Sequence, residues 1–478
     1  MEAKLSRNGV GVLASSFYAI KDYQKILSKL TLKTTIVLGK KRTTKTAYLY
    51  DRKGKYIVFP RFVGLNMQKI GFLNIKNCIG MGDRINITSS MILYPYQQIV
   101  CDHILKMFKE KEDIGGASCT LIMKPGRGKS YVGTYLITQL AVKTLIVVPN
   151  SSIAAEWKRA LQNTTATIGE YCGRKKKDGD VVIIIINSLS SKEFKFKESL
   201  SPQNFFRQFG FVIWDEVHKY ASPKSRKAFW ETNRRYGLGL TASPNVRADK
   251  FDAVYQKHLG DLLYEKDIPG YVEDDKQFSV LVRCIKYYGP DEHTKNIKRN
   301  GMVFVPDMEK QFADDMQRNE LIISHIVRLR KMNKNVFVFS TIKEHLQILY
   351  DLLLKNGTMS FAPELKTLTG GMKPEDLEMA KKTASIILIT YSYGSEGLSI
   401  DRFDSIIFAT PRKTLMDQKA GRILRAGGNI DIQREIVDII DQKTSLRSQF
   451  SSRKKYYLSA KFKLLMEEFT PSSIPCRN

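Results

Sequence analysis

The sequence predicts an α/β protein in which two parallel-sheet domains follow one another and a small basic, β-rich domain precedes them. Two series of short apolar runs, rich in β-branched residues, alternate with amphipathic helical patterns, as in parallel sheets that helices cover on both faces. The chain has 478 residues, which is enough for about three domains. The first 90 residues lack this alternation and have the pattern of short strands joined by turns.

The two series of apolar runs predict the strands of the two parallel sheets. The first series predicts buried strands over residues 119–123, 144–148, 181–186, 211–214 and 236–240. The second series predicts buried strands over residues 336–339, 386–390, 406–409 and 436–439. Between the series, a Pro-Gly pair and an acidic run make residues 266–275 the expected linker. The expected domains are therefore 1–90, 91–266, 267–442 and a C-terminal tail, 443–478.

Positive charge is concentrated in the N-terminal region. Residues 1–90 contain 17 Lys and Arg residues against 4 Asp and Glu residues, a net charge of +13. Short strands are predicted there over residues 34–39, 46–51, 53–60 and 67–75. A nucleic-acid-binding accessory domain and the solvated face of a purely structural domain both fit this pattern. The C-terminal tail is also basic, and its amphipathic helical pattern is compatible with packing as well as with nucleic-acid contact.

The composition restricts the class of protein. Lys and Arg total 77 and Asp and Glu total 48, so the net charge is +29, and phosphate backbones are the leading candidate partner. The longest apolar run, residues 181–186, is far shorter than the roughly 18 residues of a membrane span. The six cysteines and six histidines lack the spacing of a zinc site or a disulfide framework. Without a signal-peptide cleavage pattern either, a soluble, intracellular protein with no membrane partner is expected.

A phosphate-binding loop is predicted after the strand at 119–123 and before a helix over 131–142. The nucleotide-binding candidates in and beside this loop are Met123, Lys124, Pro125, Gly126, Arg127, Gly128, Lys129 and Ser130. Small residues let successive backbone N–H groups turn toward a phosphate at a helix N-terminus. Met123 stands where the full pattern has its first glycine, so a chance surface turn remains the alternative at this point.

Four side chains at two strand ends are predicted to act on a nucleoside triphosphate, with ATP and Mg²⁺ as the cofactors. Lys129 supplies a charge for the β- and γ-phosphates, and the Ser130 hydroxyl can ligate Mg²⁺. A second buried strand ends in Asp215 and Glu216, at the edge where parallel sheets present ligands. Asp215 is expected to hold Mg²⁺ through water, and Glu216 to polarise the attacking water. His218 is interpreted as a structural histidine.

The order and spacing of four motifs resemble those of the superfamily 2 helicases. The motifs are GRGKS at 126–130, DEVH at 215–218, LTASP at 240–244 and QKAGRILR at 418–425. The likeness is to the DExH branch that contains XPB, the phage helicase UvsW and the poxviral transcript-release helicase, and it covers about residues 92–442. Two tandem RecA-like domains and ATP-driven helicase activity are what this resemblance implies.

The resemblance also implies roles for single residues. Gln97 would read adenine through its amide, and Gly397 would lie near the nucleotide. Thr241 and Ser243 would link hydrolysis to domain movement, and Thr390 would lie near the nucleic-acid path.

Three residues of the last motif would reach the γ-phosphate from the second domain by the same resemblance. They are Gln418, Arg422 and Arg425. On a helix, two arginines three residues apart share one face and present two guanidinium groups to one charged target. A solvated arginine pair is the common alternative. Ser399 stands where many family members have an aspartate, which puts the usual coupling at that motif in doubt.

The predicted function is an ATP-dependent helicase or translocase that acts on DNA, with 3′ to 5′ movement implied by the resemblance. Two alternatives stay open: the same motor acting in transcription or on RNA, and a nucleic-acid-binding scaffold that ATP switches without turnover. Transcription or replication proteins are candidate partners, a monomer is favoured, and a viral source is a hypothesis.

Overall fold

The structure is a computed structural model of the chain and describes most of it. The described residues are 1–38, 41–172, 175–189, 202–244, 251–272, 278–355, 364–369, 374–394, 400, 402–412, 419–424 and 429–469. The chain divides into two compact units. The first contains Met1–Lys124 and Gly128–Asp274, and the second contains Pro125–Arg127 and Asp275–Asn478.

The N-terminal region of the first unit forms a small sheet and a separate two-stranded ribbon. Its strands are β1 (Glu2–Ser6), β2 (Gly9–Leu13), β3 (Thr31–Leu38), β4 (Lys41–Tyr48), β5 (Asp51–Lys53), β6 (Tyr56–Phe59) and β7 (Asn74–Asn77). Its helices are α1 (Ala14–Tyr18), α2 (Tyr23–Lys29) and α3 (Arg61–Lys69). The sheet has the order β5-β6-β2-β1-β7, and β3 and β4 form a two-stranded sheet of their own. The predicted β-rich region is confirmed.

One predicted strand in this region is wrong in part. The sequence pattern predicts a strand over residues 67–75, but α3 extends to Lys69 and the strand β7 begins only at Asn74. Val63 and Met67 of α3 contact the same apolar core. A spacing of four residues on one core is the period of a helix and not of a strand.

The first parallel-sheet region follows in the same unit. Its strands are β8 (Ser118–Ile122), β9 (Thr144–Val148), β10 (Ile168–Cys172), β11 (Lys175–Lys177), β12 (Val181–Ile185), β13 (Phe211–Asp215), β14 (Tyr236–Thr241) and β15 (Leu262–Tyr264). Its helices are α4 (Pro95–Lys111), α5 (Lys129–Leu140), α6 (Ser151–Leu161), α7 (Ile186–Leu189), α8 (Pro202–Arg207) and α9 (Ala253–Leu259), with 3₁₀ helices at Val217–Ala221, Ser225–Trp230 and Glu265–Asp267. The order is β11-β10-β12-β9-β13-β14-β8-β15, and every pairing is parallel except that of β10 with β11.

The second unit contains the other parallel sheet. Its strands are β16 (Val280–Tyr287), β17 (Lys298–Arg299), β18 (Met302–Val303), β19 (Val336–Ser340), β20 (Leu365–Leu368), β21 (Ile386–Thr390), β22 (Ser405–Phe408), β23 (Arg434–Asp441) and β24 (Lys463–Phe469). Its helices are α10 (Val305–Asp314), α11 (Met316–Lys331), α12 (Lys343–Lys355), α13 (Pro374–Thr383), α14 (Tyr391–Gly394) and α15 (Gln449–Ser459), with 3₁₀ helices at Asp291–His293 and Ser445–Ser448. The sheet has the order β20-β21-β19-β22-β23-β16-β24 with parallel pairings. Residues of the C-terminal tail thus contribute a helix and an edge strand.

Both parallel sheets are covered on their two faces, which confirms the predicted fold class of tandem parallel-sheet domains. On β13, Phe211 and Ile213 belong to one apolar cluster, whereas Val212 and Trp214 belong to another. Successive side chains of a strand point to opposite faces, so the strand is buried from both sides. This is why the strands of the sequence are continuous apolar runs and not alternating ones. No helix among the described residues is long and apolar enough to cross a lipid bilayer.

The N-terminal sheet and the first parallel-sheet region share an apolar core within the first unit. Ala221, Phe251 and Val254 of the parallel-sheet region pack with the buried side chains of the small sheet. Nη2 of Arg226 donates a hydrogen bond of 3.0 Å to the carbonyl oxygen of Thr46 at the base of the ribbon. The small sheet is therefore attached to the segment that follows the end of β13.

Candidate nucleotide site

The predicted phosphate loop joins β8 to α5 as expected. Gly126 and Gly128 both have φ of 79°, a left-handed conformation that glycine adopts without cost, and Gly128 caps the N-terminus of α5. A Cβ atom on Gly128 would also overlap the amide nitrogen of Gln97. Glycine is thus favoured at this position by backbone conformation, and any other residue would also displace the Gln97 amide.

Gln97 lies in the first turn of α4 and is buried. Its Oε1 accepts a hydrogen bond of 3.0 Å from the backbone N–H of Tyr94, which closes a capping box at the start of the helix. The structure therefore brings Gln97 against the phosphate loop, as the order of motifs predicts.

A buried carboxylate that the sequence analysis missed holds the start of the loop. Glu265 lies in the 3₁₀ helix after β15, and its Oε1 accepts a hydrogen bond of 2.9 Å from the backbone N–H of Lys124. The two residues are 141 positions apart. Glu265 directly precedes residues 266–275, the expected linker. No local sequence signal therefore identified Glu265 as part of the site.

Asp215 ends β13 and is buried, with two hydrogen bonds to its carboxylate. Oδ2 accepts a bond of 2.9 Å from the indole N–H of Trp157, and Oδ1 accepts one of 2.8 Å from the backbone N–H of Glu216. Burial, followed by the charge of Glu216, raises the pKa of Asp215 to about 7, while the Lys129 ammonium and the Trp157 N–H act in the opposite direction. The loop lysine and the carboxylate of β13 therefore interact electrostatically.

The position of the Trp157 indole depends on a glycine in α5. A Cβ atom on Gly133 would overlap the Trp157 ring. Close packing of α5 on α6 thus lets the fully buried Trp157 reach the end of β13. Neither residue was predicted to lie at the site, and the signal for Trp157 is a tryptophan in the helix that follows β9.

Glu216 has the geometry of a residue held for function. Its φ of 50° lies in the left-handed region, where non-glycine residues are strained by about 1–3 kcal/mol. Its Oε2 is buried, makes no hydrogen bond to any described residue and lies 3.4 Å from Nδ1 of His218. A buried carboxylate oxygen of this kind is suited to an external donor such as water.

His218 connects the end of β13 to the end of β14. Its Nδ1 shares a hydrogen bond of 2.8 Å with Oγ1 of Thr241, which also accepts a bond of 3.1 Å from the backbone N–H of Ser243. A chain of contacts thus runs from Glu216 through the histidine to the LTASP motif. The interpretation of His218 as a merely structural residue overlooked this connection, which its position two residues after Glu216 could have suggested.

The residues at the loop fit a divalent cation that is mainly held by ATP. Mg²⁺ in nucleotide sites takes one or two protein ligands and completes its coordination with phosphates and water. Ser130 and Asp215 would supply those ligands, and the raised pKa of the buried carboxyl shows that the Lys129 ammonium does not offset burial and the charge of Glu216. The described residues contain no group of three or more His, Cys, Asp or Glu side chains that could hold a metal alone.

Few of the predicted second-unit residues are described. Gln418, Arg425 and Gly397 lie outside the described residues. Arg422 is buried in a turn, and its backbone N–H donates a bond of 3.0 Å to the carbonyl oxygen of Lys419. The helical position expected for Arg422 is therefore wrong, because this i to i−3 bond closes a turn at the residue.

Comparison with known proteins agrees with the motifs. A family described as type III restriction enzyme, res subunit, matches residues 90–246. An African swine fever virus protein, provisionally named an ATP-dependent RNA helicase, is 28% identical over 484 residues, 96% of this chain and 91% of that protein. A transcript termination protein of Yaba monkey tumor virus is 24% identical over 358 residues, 70% of each chain.

In its motifs and in these relatives the chain is similar to the superfamily 2 helicases. Its fold is similar to that of a solved DNA-bound structure of the type ISP restriction-modification enzyme LlaBIII, with a TM-score of 0.51 and 15% identity. That similarity covers 80% of the chain and 32% of the restriction enzyme. The chain is a helicase-type, ATP-dependent nucleic-acid motor, and its tandem RecA-like fold is confirmed.

Proposed function

We propose that the chain hydrolyses ATP to move 3′ to 5′ on DNA, which it unwinds or branch-migrates. The observation that carries the proposal is the convergence at the end of β13. Asp215, Glu216 and Lys129 interact there beside a glycine-containing loop, and Oε2 of Glu216 is buried without a hydrogen bond to any described residue. Hydrolysis of a γ-phosphate depends mainly on positioning and on charge stabilisation, which this arrangement supplies.

Each residue has a distinct proposed role. The backbone around Gly126 and Gly128 binds the phosphates at the N-terminus of α5. Lys129 stabilises the charge that develops on the β- and γ-phosphates, and Glu216 orients the attacking water through its unpartnered oxygen. When bound, Mg²⁺ supplies Lewis-acid neutralisation of the phosphate charge, with Ser130 and Asp215 as its protein ligands.

Residues outside the first unit complete the proposal. Gln418, Arg422 and Arg425 stabilise the γ-phosphate charge, as the family resemblance implies. Since arginine gains most from an anionic partner in a desolvated site, ATP and its products would favour different conformations of the motor.

A second candidate function is the same motor acting in transcription or on RNA. The relatives support it, because one is provisionally named an RNA helicase and another a transcript termination protein. The preference for DNA has no comparable support among these names. The distinction therefore depends on which nucleic acid stimulates ATP hydrolysis.

The test is ATP hydrolysis by the full chain with single-stranded DNA, duplex DNA or RNA. We expect DNA to stimulate hydrolysis and Lys129→Ala to lower the stimulated rate by about 100-fold or more, because a charge at the developing phosphate anion is lost. Lys143→Ala, which breaks a surface ion pair with Asp178, is the matched control. Forks with 3′ or 5′ single-stranded arms give the polarity.

Three results would change the proposal. Stimulation by RNA alone would favour the second candidate. Unwinding only from a 5′ arm would make the polarity wrong. Nucleic-acid binding without any stimulated hydrolysis would indicate the ATP-switched scaffold.

A further inference from the structure

The ribbon formed by β3 and β4 is the most basic structural element of the N-terminal region. Its two strands pair over eight residues each, from Thr31 opposite Tyr48 to Leu38 opposite Lys41. At about 3.4 Å per residue, such a ribbon is roughly 27 Å long. Its base is closed by a hydrogen bond of 2.8 Å from the N–H of Leu49 to the carbonyl oxygen of Leu30.

The two faces of the ribbon have different surroundings near its base. Leu32 and Ala47, which are cross-strand partners, belong to the apolar core of the N-terminal region. On the other face, Lys33 is exposed opposite Thr46, and the exposed Thr35 and Thr44 approach within 3.3 Å through their hydroxyl groups. The strand alternation places one ribbon face in the core and leaves the other to solvent.

The solvent face continues along β4 with further exposed side chains. Arg42 and Tyr48 lie on the same face as Thr44, because they are two and four residues from it along the strand. Both are exposed, and 54% of Tyr48 is accessible. This solvent face, defined by Lys33, Thr35, Arg42, Thr44 and Tyr48, therefore presents two cations, two hydroxyls and one aromatic ring.

The charge of the ribbon is uncompensated. Residues 31–48 contain five Lys and Arg residues and no Asp or Glu residue. Lys33, Arg42 and Lys45 are exposed and form no ion pair with any described residue. Elsewhere in the same region Lys53 is paired with Glu231 at 2.6 Å. Cations collected on one element without a counter-charge repel each other, and a polyanion would relieve that repulsion.

The shape and chemistry of the ribbon favour a duplex over a single strand. Lys, Arg and Thr side chains are typical contacts to phosphate oxygens. A single-strand platform needs successive aromatic rings, whereas the described part of the solvent face offers only Tyr48. A two-stranded ribbon fits the major groove of B-form DNA, which is about 12 Å wide, but not the narrow major groove of A-form RNA.

We infer that the β3–β4 ribbon docks its solvent face on B-form duplex DNA, with Lys33 and Arg42 on phosphates along the major groove. The inference rests on the proposed function, because it assigns a duplex-binding surface to the same motor. The ribbon reaches the motor through the bond from Arg226 to Thr46 and the shared core at Ala221, which ends the 3₁₀ helix after Glu216. Bound duplex would thus be held by the unit that contains Lys129, Asp215 and Glu216.

The experiment compares two double variants of the full chain that each remove two cations. The ribbon variant is Lys33→Ala and Arg42→Ala, and the control variant carries Lys25→Ala and Lys29→Ala on α2. All four side chains are exposed. Equal thermal unfolding midpoints would establish that both variants fold.

Fluorescence anisotropy then measures binding of blunt DNA duplex, RNA duplex and single-stranded DNA at increasing salt without ATP. We expect the ribbon variant to bind DNA duplex at least about tenfold more weakly and with a salt slope lower by about 2, since each of the two phosphate contacts contributes about 0.9. Single-strand affinity and the ATP hydrolysis stimulated by single strands should stay within about twofold of wild type, since the ribbon lacks a stacking surface.

Several results would overturn the inference. An equal loss of duplex binding in the control variant would show that the lower net charge of the protein, and not the ribbon surface, weakens binding. An equal loss for RNA duplex would show general phosphate attraction, and competition by polyglutamate at equal charge would indicate an acidic protein partner instead. A wild-type chain without stimulated hydrolysis, but with ribbon-dependent duplex binding, would contradict the proposed function and leave the ribbon inference standing.

Discussion

The buried carboxylates of the two parallel sheets have opposite surroundings. In the second unit, Asp438 of β23 accepts hydrogen bonds from Nε and Nη2 of Arg453 at 2.8 and 2.9 Å and from the Tyr457 hydroxyl at 2.8 Å. In the first unit, Asp215 accepts hydrogen bonds from two neutral donors and lies beside a second carboxylate, Glu216, and the Lys129 ammonium that lowers its pKa forms no ion pair with it among the described residues. The first arrangement satisfies a charge internally, and the second leaves a negative site that a cation or water can complete.

This difference distinguishes a carboxylate that stabilises the fold, Asp438, from carboxylates that are suited to bind a ligand, Asp215 and Glu216. A buried ion pair with all its hydrogen bonds made is costly to break but has no capacity for a ligand. Unpaired buried groups with shifted pKa values cluster at functional sites. Asp215, whose pKa is raised, belongs to the second class, and beside it Glu216 has a left-handed backbone and a buried oxygen without a hydrogen bond to any described residue. Substitutions in the two sheets should therefore affect different measurements.

The largest expected effect is on hydrolysis, from Glu216→Gln. The amide keeps the size of the side chain but cannot accept a proton or orient water as a carboxylate does, so the stimulated rate of ATP hydrolysis should fall by about 1000-fold. Stability should be unchanged or slightly higher, because the charge that raises the pKa of Asp215 is removed. ATP binding measured by calorimetry should persist, and a hydrolysis rate near that of wild type would contradict the role of Glu216.

The next effect concerns stability, from Asp438→Asn in the second unit. Arg453 would remain buried without a carboxylate, so the free energy of unfolding should fall by about 3 kcal/mol, as measured by urea denaturation. Glu320→Gln, an exposed carboxylate on α11, is the control and should change it by less than about 0.5 kcal/mol. Below its unfolding transition the Asp438 variant should still hydrolyse ATP. A loss of ATP hydrolysis without a loss of stability would show that Asp438 has a functional role, and the contrast between the two sheets would then be wrong.

Local sequence signals were sufficient for the central strands of both parallel sheets and for the phosphate loop. The predicted strands at 144–148 and 386–390 coincide with β9 and β21, because short runs of β-branched residues are typical of strands that are buried on both faces. The loop was predictable because Gly126 and Gly128 occupy left-handed conformations that the spacing of the motif requires.

Contacts between distant residues were not predictable. Trp157 and Asp215 are 58 positions apart, and Lys124 and Glu265 are 141 apart, so only the folded sheet brings them together. The small N-terminal sheet has the same limitation. Its strands β1 and β7 are paired in parallel across the whole region, and no local pattern at either strand indicates that pairing.

The smallest effect separates ring packing from hydrogen bonding at Asp215. Trp157→Phe removes the indole N–H that lowers the pKa of this carboxyl, so the carboxylate form becomes less favourable. About tenfold more Mg²⁺ should then be needed for half-maximal ATP hydrolysis at pH 7, a shift of about 1.4 kcal/mol. Trp214→Phe is the matched control, because its indole is equally buried but makes no hydrogen bond to any described residue. If the two variants need equal Mg²⁺ concentrations, the effect comes from the lost ring volume. The hydrogen bond from Trp157 to Asp215 would then have no role at the nucleotide site.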